Sequence, residues 1–570
     1  MKFSNRTKKI GTGILSMLLS VSCLTACGGG GGGAGGNNPE SGSKAVTEIQ
    51  FLNYQGCSGN EWVEAAAKRF ADLKANESYE TGKKGVRISV SETKAIPYYT
   101  LNSDGYDIYI GENKANIYEM ASQGFLLDLG EVVEGIENKI DPDAIKRIKG
   151  ADGKYYGLPS YEWYTGVSYD YDYFTEANLF LAAPEAKGRK VTNKFGSIKL
   201  VNSQSDKKSC GPDGVYNTED DGMPSSVQEF LTLLAEIKSD GRSPFIISGN
   251  SIDYGFMLAD GLWASLSGKE QFKTIYSLDS NGKKIVEVVT GYTDEDLFYN
   301  GSGIKRPTTE MIAINEENGY KIYDMASRYY ALATLQLIYN EKWFLESFLN
   351  NAQKTNVQAQ YNFVNEGEAA ILYDSSFWCG ESVRSGDFEA FKALNPDKSG
   401  RDVRYMPLPV TLETSVTENN GKRQALVDGG AAQLFVNKRV ANNEGKKRAV
   451  IEFLQFLYSG AELAAFTEST GLKVPVEYNY DGSKLNSYFE HLTNYVEESD
   501  VVYFASDSTI VNKNLEAFSL TWSSAVHRPV LDGIEIAKGY IEAMKNKGAD
   551  AKTIFEVTKK NEESWNNLQK

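Results

Sequence analysis

"TEIQFLNYQG", residues 47–56, followed at once by "SGNEWVEAAAKRFADLKA", residues 58–75, is the stretch on which the fold turns. The first run is apolar nearly throughout and stops at a glycine, as a strand buried on both faces of a sheet would read. The second sets Val63, Ala66, Ala67, Phe70 and Leu73 on one helical face. Ser58 with Glu61 predicts a capping box at its start, and Trp62 in the first turn reads as packing. Beyond it, "GVRISVSE" at 85–92 alternates Val86, Ile88 and Val90 with polar residues, and "YDIYIG" at 106–111 is a further short strand. Strand, helix, strand in this order predicts βαβ units and a largely parallel sheet, an α/β fold.

Outward from this unit the pattern loosens. Residues 181–224 are polar and read as a loop-rich insertion. "PSSVQEFLTLLAEIKSDG", 224–241, predicts a helix with Pro224 near its first turn and a glycine just past its end. Residues 429–471 give a glycine pair, a strand and two helices, and the chain from "TWSSAVHRP" (521–529) onward reads as helical with a charged outer face.

The bulk numbers exclude several classes. A chain of 570 residues exceeds what one hydrophobic core serves, so two or more lobes are expected, and 41% hydrophobic with 24% charged residues is a globular composition. The formal charge is −16, and it becomes −20 when the leader's Lys2, Arg6, Lys8 and Lys9 are removed. A body this acidic argues against nucleic acid and against charge-driven binding to anionic lipid. Two histidines, His491 and His527, supply no histidine metal site or triad. The scattered Cys57, Cys210 and Cys379 make neither a disulfide framework nor a zinc spacing. No glycine-rich phosphate loop, HExxH or GxSxG motif is present.

The N-terminus carries a basic segment and then the apolar "ILSMLLSVSCLTA", the layout of a signal peptide over 1–26 and too short for a membrane span. Leu24-Thr25-Ala26-Cys27 resembles a bacterial lipobox, which implies lipidation of Cys27; the rival is an ordinary secretory peptide with an incidental cysteine. The glycine-rich 27–45 is then a flexible tether.

Several landmarks occur in order: the strand and helix at 47–75, "GFLLDLGEVVE", "YYGLPSYEWYTGVSYDYDYF", "MPSSVQEFLTLLAEIK", "FVNEGEAAILYDSSFW", "MPLPV", and the glycine pair with two helices ending "TGLKVPV". In that order and spacing the chain resembles the extracellular solute-binding proteins of bacterial ABC importers, in particular the group that binds sugars and oligosaccharides. It departs from them in length, with insertions near 181–224 and 250–325. The resemblance implies a two-lobed, periplasmic-binding-protein-like fold (type II) with ligand in the interlobe cleft. Lobe one would be 46–160 plus 428–475; lobe two would be 161–427 plus 476–570. It implies a carbohydrate ligand, an ABC permease partner, a monomer, no required cofactor, and a location on the extracytoplasmic face of the cell membrane, held by lipid alone.

Open α/β sheets bind ligand beyond the carboxyl ends of their strands, which points to Gln55–Asn60 and Gly111–Asn113, with Glu112 and Asn113 as contacts. In "PSYEWYTG", Glu162, Trp163 and Tyr164 combine a carboxylate for hydroxyl hydrogen bonds with aromatic faces; a core Trp and a solvated Glu are the alternative. Trp378, in "YDSSFWCGE", stands where the resembled family presents a stacking aromatic, with core packing as the rival. Trp522 is a weaker instance of the same kind, and Gly429 and Gly430 allow close backbone approach. Asp213, Asn217, Glu219, Asp220 and Asp221, in "PDGVYNTEDDG", offer hard oxygen ligands for a structural calcium ion, against a plain solvated turn. A glycan-processing enzyme is the competing function; Glu162 and Glu381 are candidate carboxylates whose spacing singles out neither.

Overall fold

The computed structural model describes residues 45–54, 56, 58–93, 101, 103–111, 116–419, 424–428, 433–518, 530–531, 534–535 and 539–569. The opening strand forms as Thr47–Tyr54 and buries Ile49, Phe51 and Leu52. It lies parallel to Val86–Thr93 on one side and to Ile108–Gly111 on the other, with Thr47 opposite Val86 and Phe51 opposite Ile108. The connecting helix, Glu61–Leu73, lays Val63, Ala66, Ala67 and Phe70 into the core.

Two details of that helix differ from expectation. Asn60, not Ser58, is the N-cap residue and makes no side-chain cap bond, so the Ser58–Glu61 box does not form. The Asn60 carboxamide oxygen instead accepts from Asn53 Nδ2 at 2.8 Å, which ties the helix start to the strand end. Leu73, at the helix's last position, is 67% exposed rather than packed.

Distant chain completes the sheet. Gln433–Val436 runs antiparallel to Ile108–Gly111, and Leu158–Pro159 runs antiparallel to Gln433–Val436, giving five strands of mixed direction. A second sheet has the order Val403–Tyr405, Ser168–Asp170, Ala369–Leu372, Ser243–Ile246, and its only parallel pairing joins the last two. The first sheet therefore draws on chain before Ser160 and after Asp428, and the second on chain between them. A short parallel ladder pairs Ala425–Val427 with Asp500–Val502.

The segment 181–224 is not only loop. Gly188–Asn193 and Gly196–Val201 form an antiparallel hairpin that buries Val191, Ile198 and Leu200. The following helix is Val227–Ser239, opened by a complete Ser226–Glu229 capping box, so Pro224 lies ahead of the cap rather than in the first turn. The second insertion adds helices Phe256–Ser267 and Lys269–Ser277 and the hairpin of Val286–Asp296 with Lys305–Ile312. Glu444–Leu457 and Gly460–Thr470 form the expected helix pair, capped by Asn443 and Ser459. Helices also fill most of 540–568. One apolar cluster packs the helices around the second sheet; another runs from Phe51, Phe70 and Phe453 through Tyr161 to Trp378 and Tyr488. Among the described residues no single helix is long and apolar enough to cross a membrane.

Candidate functional site

Three segments that link the two sheets meet side by side. The Glu162 amide donates to the Lys473 carbonyl at 2.9 Å, Thr165 N to Val427 O at 3.2 Å, and Asp428 N to Val502 O at 3.1 Å. Tyr164 and Asp428 form a bridge pair, and Asp141 N donates to Pro475 O at 3.0 Å. The turn after the strand Ala369–Leu372 docks here too: Ser376 N donates to Tyr164 O at 3.0 Å, and Tyr164 N donates to Ser376 Oγ at 2.8 Å.

Glu162 sits at this junction, 6% exposed. Its Oε2 accepts from the Tyr164 hydroxyl at 3.0 Å, while its Oε1 is buried with no partner among the described residues. Burial raises its pKa to about 7, the nearby Asp428 carboxylate adds to the rise, and the hydroxyls of Tyr503 and Tyr164 partly oppose it. The same burial, with the adjacent acids, pushes the Tyr164 and Tyr503 phenols far above their ordinary range. Asp428 and Arg147 are both buried, with Arg147 Nη1 3.9 Å from Asp428 Oδ2 and the guanidinium 5.5 Å from the Phe504 ring centroid. A cavity of about 10 Å³ lies among Arg147, Asp428, Gln433, Pro475 and Tyr503, the size of one water molecule.

The same segment as Glu162 contributes to an aromatic patch. Trp163 and Phe377 are both only partly buried, their ring centroids 6.3 Å apart, and Tyr161 lies 6.2 Å from Phe377. Gly56 closes the patch: a β-carbon there would stand 2.7 Å from Phe377 Cζ, so only glycine fits without displacement. The Arg384 guanidinium donates to the Gly56 carbonyl at 2.7 Å, fastening the loop after the first strand to the helix Trp378–Ser385.

Of the aromatics expected to touch ligand, Trp378 takes a different place. It has no exposed surface, with the rings of Phe363, Tyr488 and Phe388 at 5.6, 5.7 and 6.3 Å. Its indole N–H donates to Ser168 Oγ at 2.8 Å, and that hydroxyl also bonds the Tyr488 hydroxyl at 2.9 Å. Both faces and the polar atom are occupied by protein, so in this structure Trp378 is core. The turn does present an aromatic, one residue earlier, at Phe377.

The acidic loop does not form a calcium cage. Asp213 Oδ1 accepts from Val215 N, Asp220 Oδ2 from Asp213 N and Asp221 Oδ2 from Asn217 N, at 2.7, 2.8 and 2.9 Å. Glu219 turns away to His491 Nδ1 at 2.8 Å and Asn494 Nδ2 at 3.1 Å. Among the described residues no three acidic, histidine or cysteine side chains are arranged to hold a metal. Burial and the Asp213 charge push the Asp220 carboxyl well up. Cys210 and Cys379 are both buried, and Asn486 Nδ2 donates to Cys379 Sγ at 3.8 Å.

Cys27, Glu112, Asn113, Gly429, Gly430 and Trp522 lie outside the described residues, as do Cys57 and His527. The structure brings Glu162, Trp163 and Tyr164 together with Tyr161, Phe377, Asp428, Arg147 and Tyr503, which sequence reasoning did not select. Only Phe377 left a signal there, as the second aromatic of its turn.

No family model matches the sequence, and no curated protein matches it. Solved structures do. A chitin oligosaccharide binding protein superposes with a TM-score of 0.55 at 13% identity, over 92% of this chain and 100% of that one. A protein described in work on xylan utilization by the thermophilic bacterium Caldanaerobius polysaccharolyticus gives 0.52 at 15% identity, over 90% and 99%. Maltose-bound MalE3 of T. maritima gives 0.51 at 13% identity, over 92% and 99%. The chain therefore has the two-lobed α/β fold of solute-binding proteins.

Proposed function

We propose that this chain is a carbohydrate receptor of an ABC importer that captures an oligosaccharide between its lobes and delivers it to a permease. The observation that carries the reading is Glu162: a buried carboxylate with one unmet oxygen where the linking segments meet, on the segment that also bears the partly exposed Trp163, whose ring lies 6.3 Å from Phe377. Such a carboxylate accepts from ligand hydroxyls, while the aromatic faces cover the C–H face of a pyranose. Tyr164 orients the carboxylate through its own hydroxyl. Glu112, Asn113, Gly429, Gly430 and Trp522 belong to the same proposed contact set. The lobes are taken as 46–160 with 428–475, and 161–427 with 476–570, and capture is closure of one on the other with no bond made or broken.

Of the solved proteins that share the fold, one is a chitin oligosaccharide binding protein, one comes from work on xylan utilization and one is bound to maltose, and this supports a glycan as the ligand class. The lipobox-like LTAC supports cleavage after Ala26, lipidation of Cys27 and display on the extracytoplasmic face, with 27–45 as tether. The receptor is proposed to act as a monomer. A screen of glycans by thermal shift tests the reading: a ligand at a hundred times its dissociation constant stabilises by about 2.7 kcal/mol.

One observation favours a second reading, a glycan-processing enzyme: a carboxyl held at about 7 suits a general acid. Release of new reducing ends from a bound oligosaccharide would establish it, and saturable binding without turnover would dismiss it.

A further inference from the structure

A cavity of about 190 Å³ lies away from the junction floor, between the helices Glu61–Leu73 and Gly460–Thr470. Ala66, Ile110, Leu434, Leu457, Leu463 and Phe466 make its walls. Trp62 stands edge-on to Phe466, centroids 4.8 Å apart, and closes one side. Three charged side chains reach the lining: Glu61 is exposed, and Arg69 binds Glu462 through Nε at 2.9 Å and Nη2 at 2.5 Å, so both oxygens of Glu462 are taken. The Tyr458 hydroxyl is likewise committed, to the Pro159 carbonyl at 2.5 Å.

Its mouth faces solvent, since Ala65 is exposed and Trp62 and Ala465 are only partly buried. Ala65 and Ala465 line it, and a larger side chain at either position would close it. An apolar cavity of roughly 150 Å³ is enough to admit a benzene ring. We propose that this cavity is a second ligand site, separate from the carbohydrate site, that takes one small uncharged aromatic molecule. An anionic ring has no counter-ion there, since Arg69, the one cation of the lining, is already paired with Glu462. Occupancy also has a route to the junction. Ser160 and Val474 line the cavity, and the neighbouring residues of those two segments, Glu162 and Lys473, share the 2.9 Å backbone bond.

The test is calorimetric titration of the full chain with phenol and with toluene, beside benzoate as an anionic ring of similar size. Saturable one-site binding of the neutral rings is expected, with benzoate weaker by at least roughly tenfold. Hydrogen exchange with phenol bound should slow in 61–69 and 460–470. Ala65→Leu and Ala465→Leu should each weaken phenol by roughly tenfold while leaving the melting temperature unchanged or raised. Absence of saturable binding by both neutral rings, equal binding of benzoate, or protection confined to other segments would each overturn the proposal. The charge series uses the unaltered protein, so it decides the matter even where a variant fails to fold.

Discussion

Two regions that a sequence reading treats alike, the Glu162 junction and the Trp378 cluster, are built on opposite terms. Around Trp378 the indole N–H has its acceptor in Ser168, and Phe363, Phe388 and Tyr488 surround the ring, which has no exposed surface. At the junction a buried carboxylate keeps one oxygen unmet and is held half-neutral near pH 7, and the neighbouring residue Trp163 remains partly open. Satisfied groups stabilise a fold, whereas unmet buried groups cost free energy until something arrives to pair with them. On the proposed function, the difference separates a residue that holds the fold together from residues that would meet a ligand.

The largest effect expected is on the satisfied side. Trp378→Ala should lower folding stability by about 3–5 kcal/mol, the usual cost of emptying a large aromatic site. Denaturant unfolding would show it, and glycan affinity in the molecules still folded should be unchanged. A variant of normal stability that has lost its glycan would reverse the comparison.

Next in size is the titration of Glu162. Its folded pKa, about 7, stands above the ordinary 4.5, so the neutral form is favoured by the fold. Stability from this group is complete below about pH 4.5 and is lost as pH rises through about 7. The loss amounts to ~3 kcal/mol by pH 8, at 1.36 kcal/mol per pKa unit. Asp374 is also pushed up to about 7, by burial and by Glu381, so the informative quantity is the difference between parent and Glu162→Gln. The Gln variant should be the more stable at pH 8 and should lack this share of the decline; parallel stability–pH curves would contradict the buried-carboxylate account.

Smaller effects belong to the open aromatics. Trp163→Ala and Phe377→Ala should each weaken glycan binding by roughly tenfold, about 1.4 kcal/mol, with little change in melting temperature. Equal affinity in both variants would move the stacking face elsewhere. At the bottom of the scale, adding calcium to chelator-treated protein should produce no heat and no change in melting temperature; a clear shift would mean that the 212–222 loop rearranges around the ion.

Much of the architecture is legible because a local pattern carries its own burial. The runs 47–54 and 61–73 announce strand and helix by period, and the parallel pairing follows from their order. The Ser58 box failed because the Asn53–Asn60 bond, set by the folded strand, starts the helix at Glu61 instead. The hairpin 188–201 hides behind Arg189, Lys190 and Lys199, whose charges mask the alternation of Val191, Ile198 and Leu200. Phe377 and Trp378 are adjacent at a helix start, where one residue step rotates the side chain by about 100°; the sequence offers both and does not say which faces inward. Arg147, Asp428 and Tyr503 are far apart in the chain and meet only because the linking segments run together, which no local pattern records.

The central claim is that a glycan binds at the Glu162 junction, and the direct test is one thermal-shift measurement across an oligosaccharide panel on the parent chain and on Glu162→Ala. The account predicts that at least one oligosaccharide raises the parent's melting temperature in a saturable way, corresponding to about 2.7 kcal/mol at a hundred times its dissociation constant, and leaves Glu162→Ala unmoved at that concentration. No stabilising glycan, or the same shift in both proteins, would contradict it.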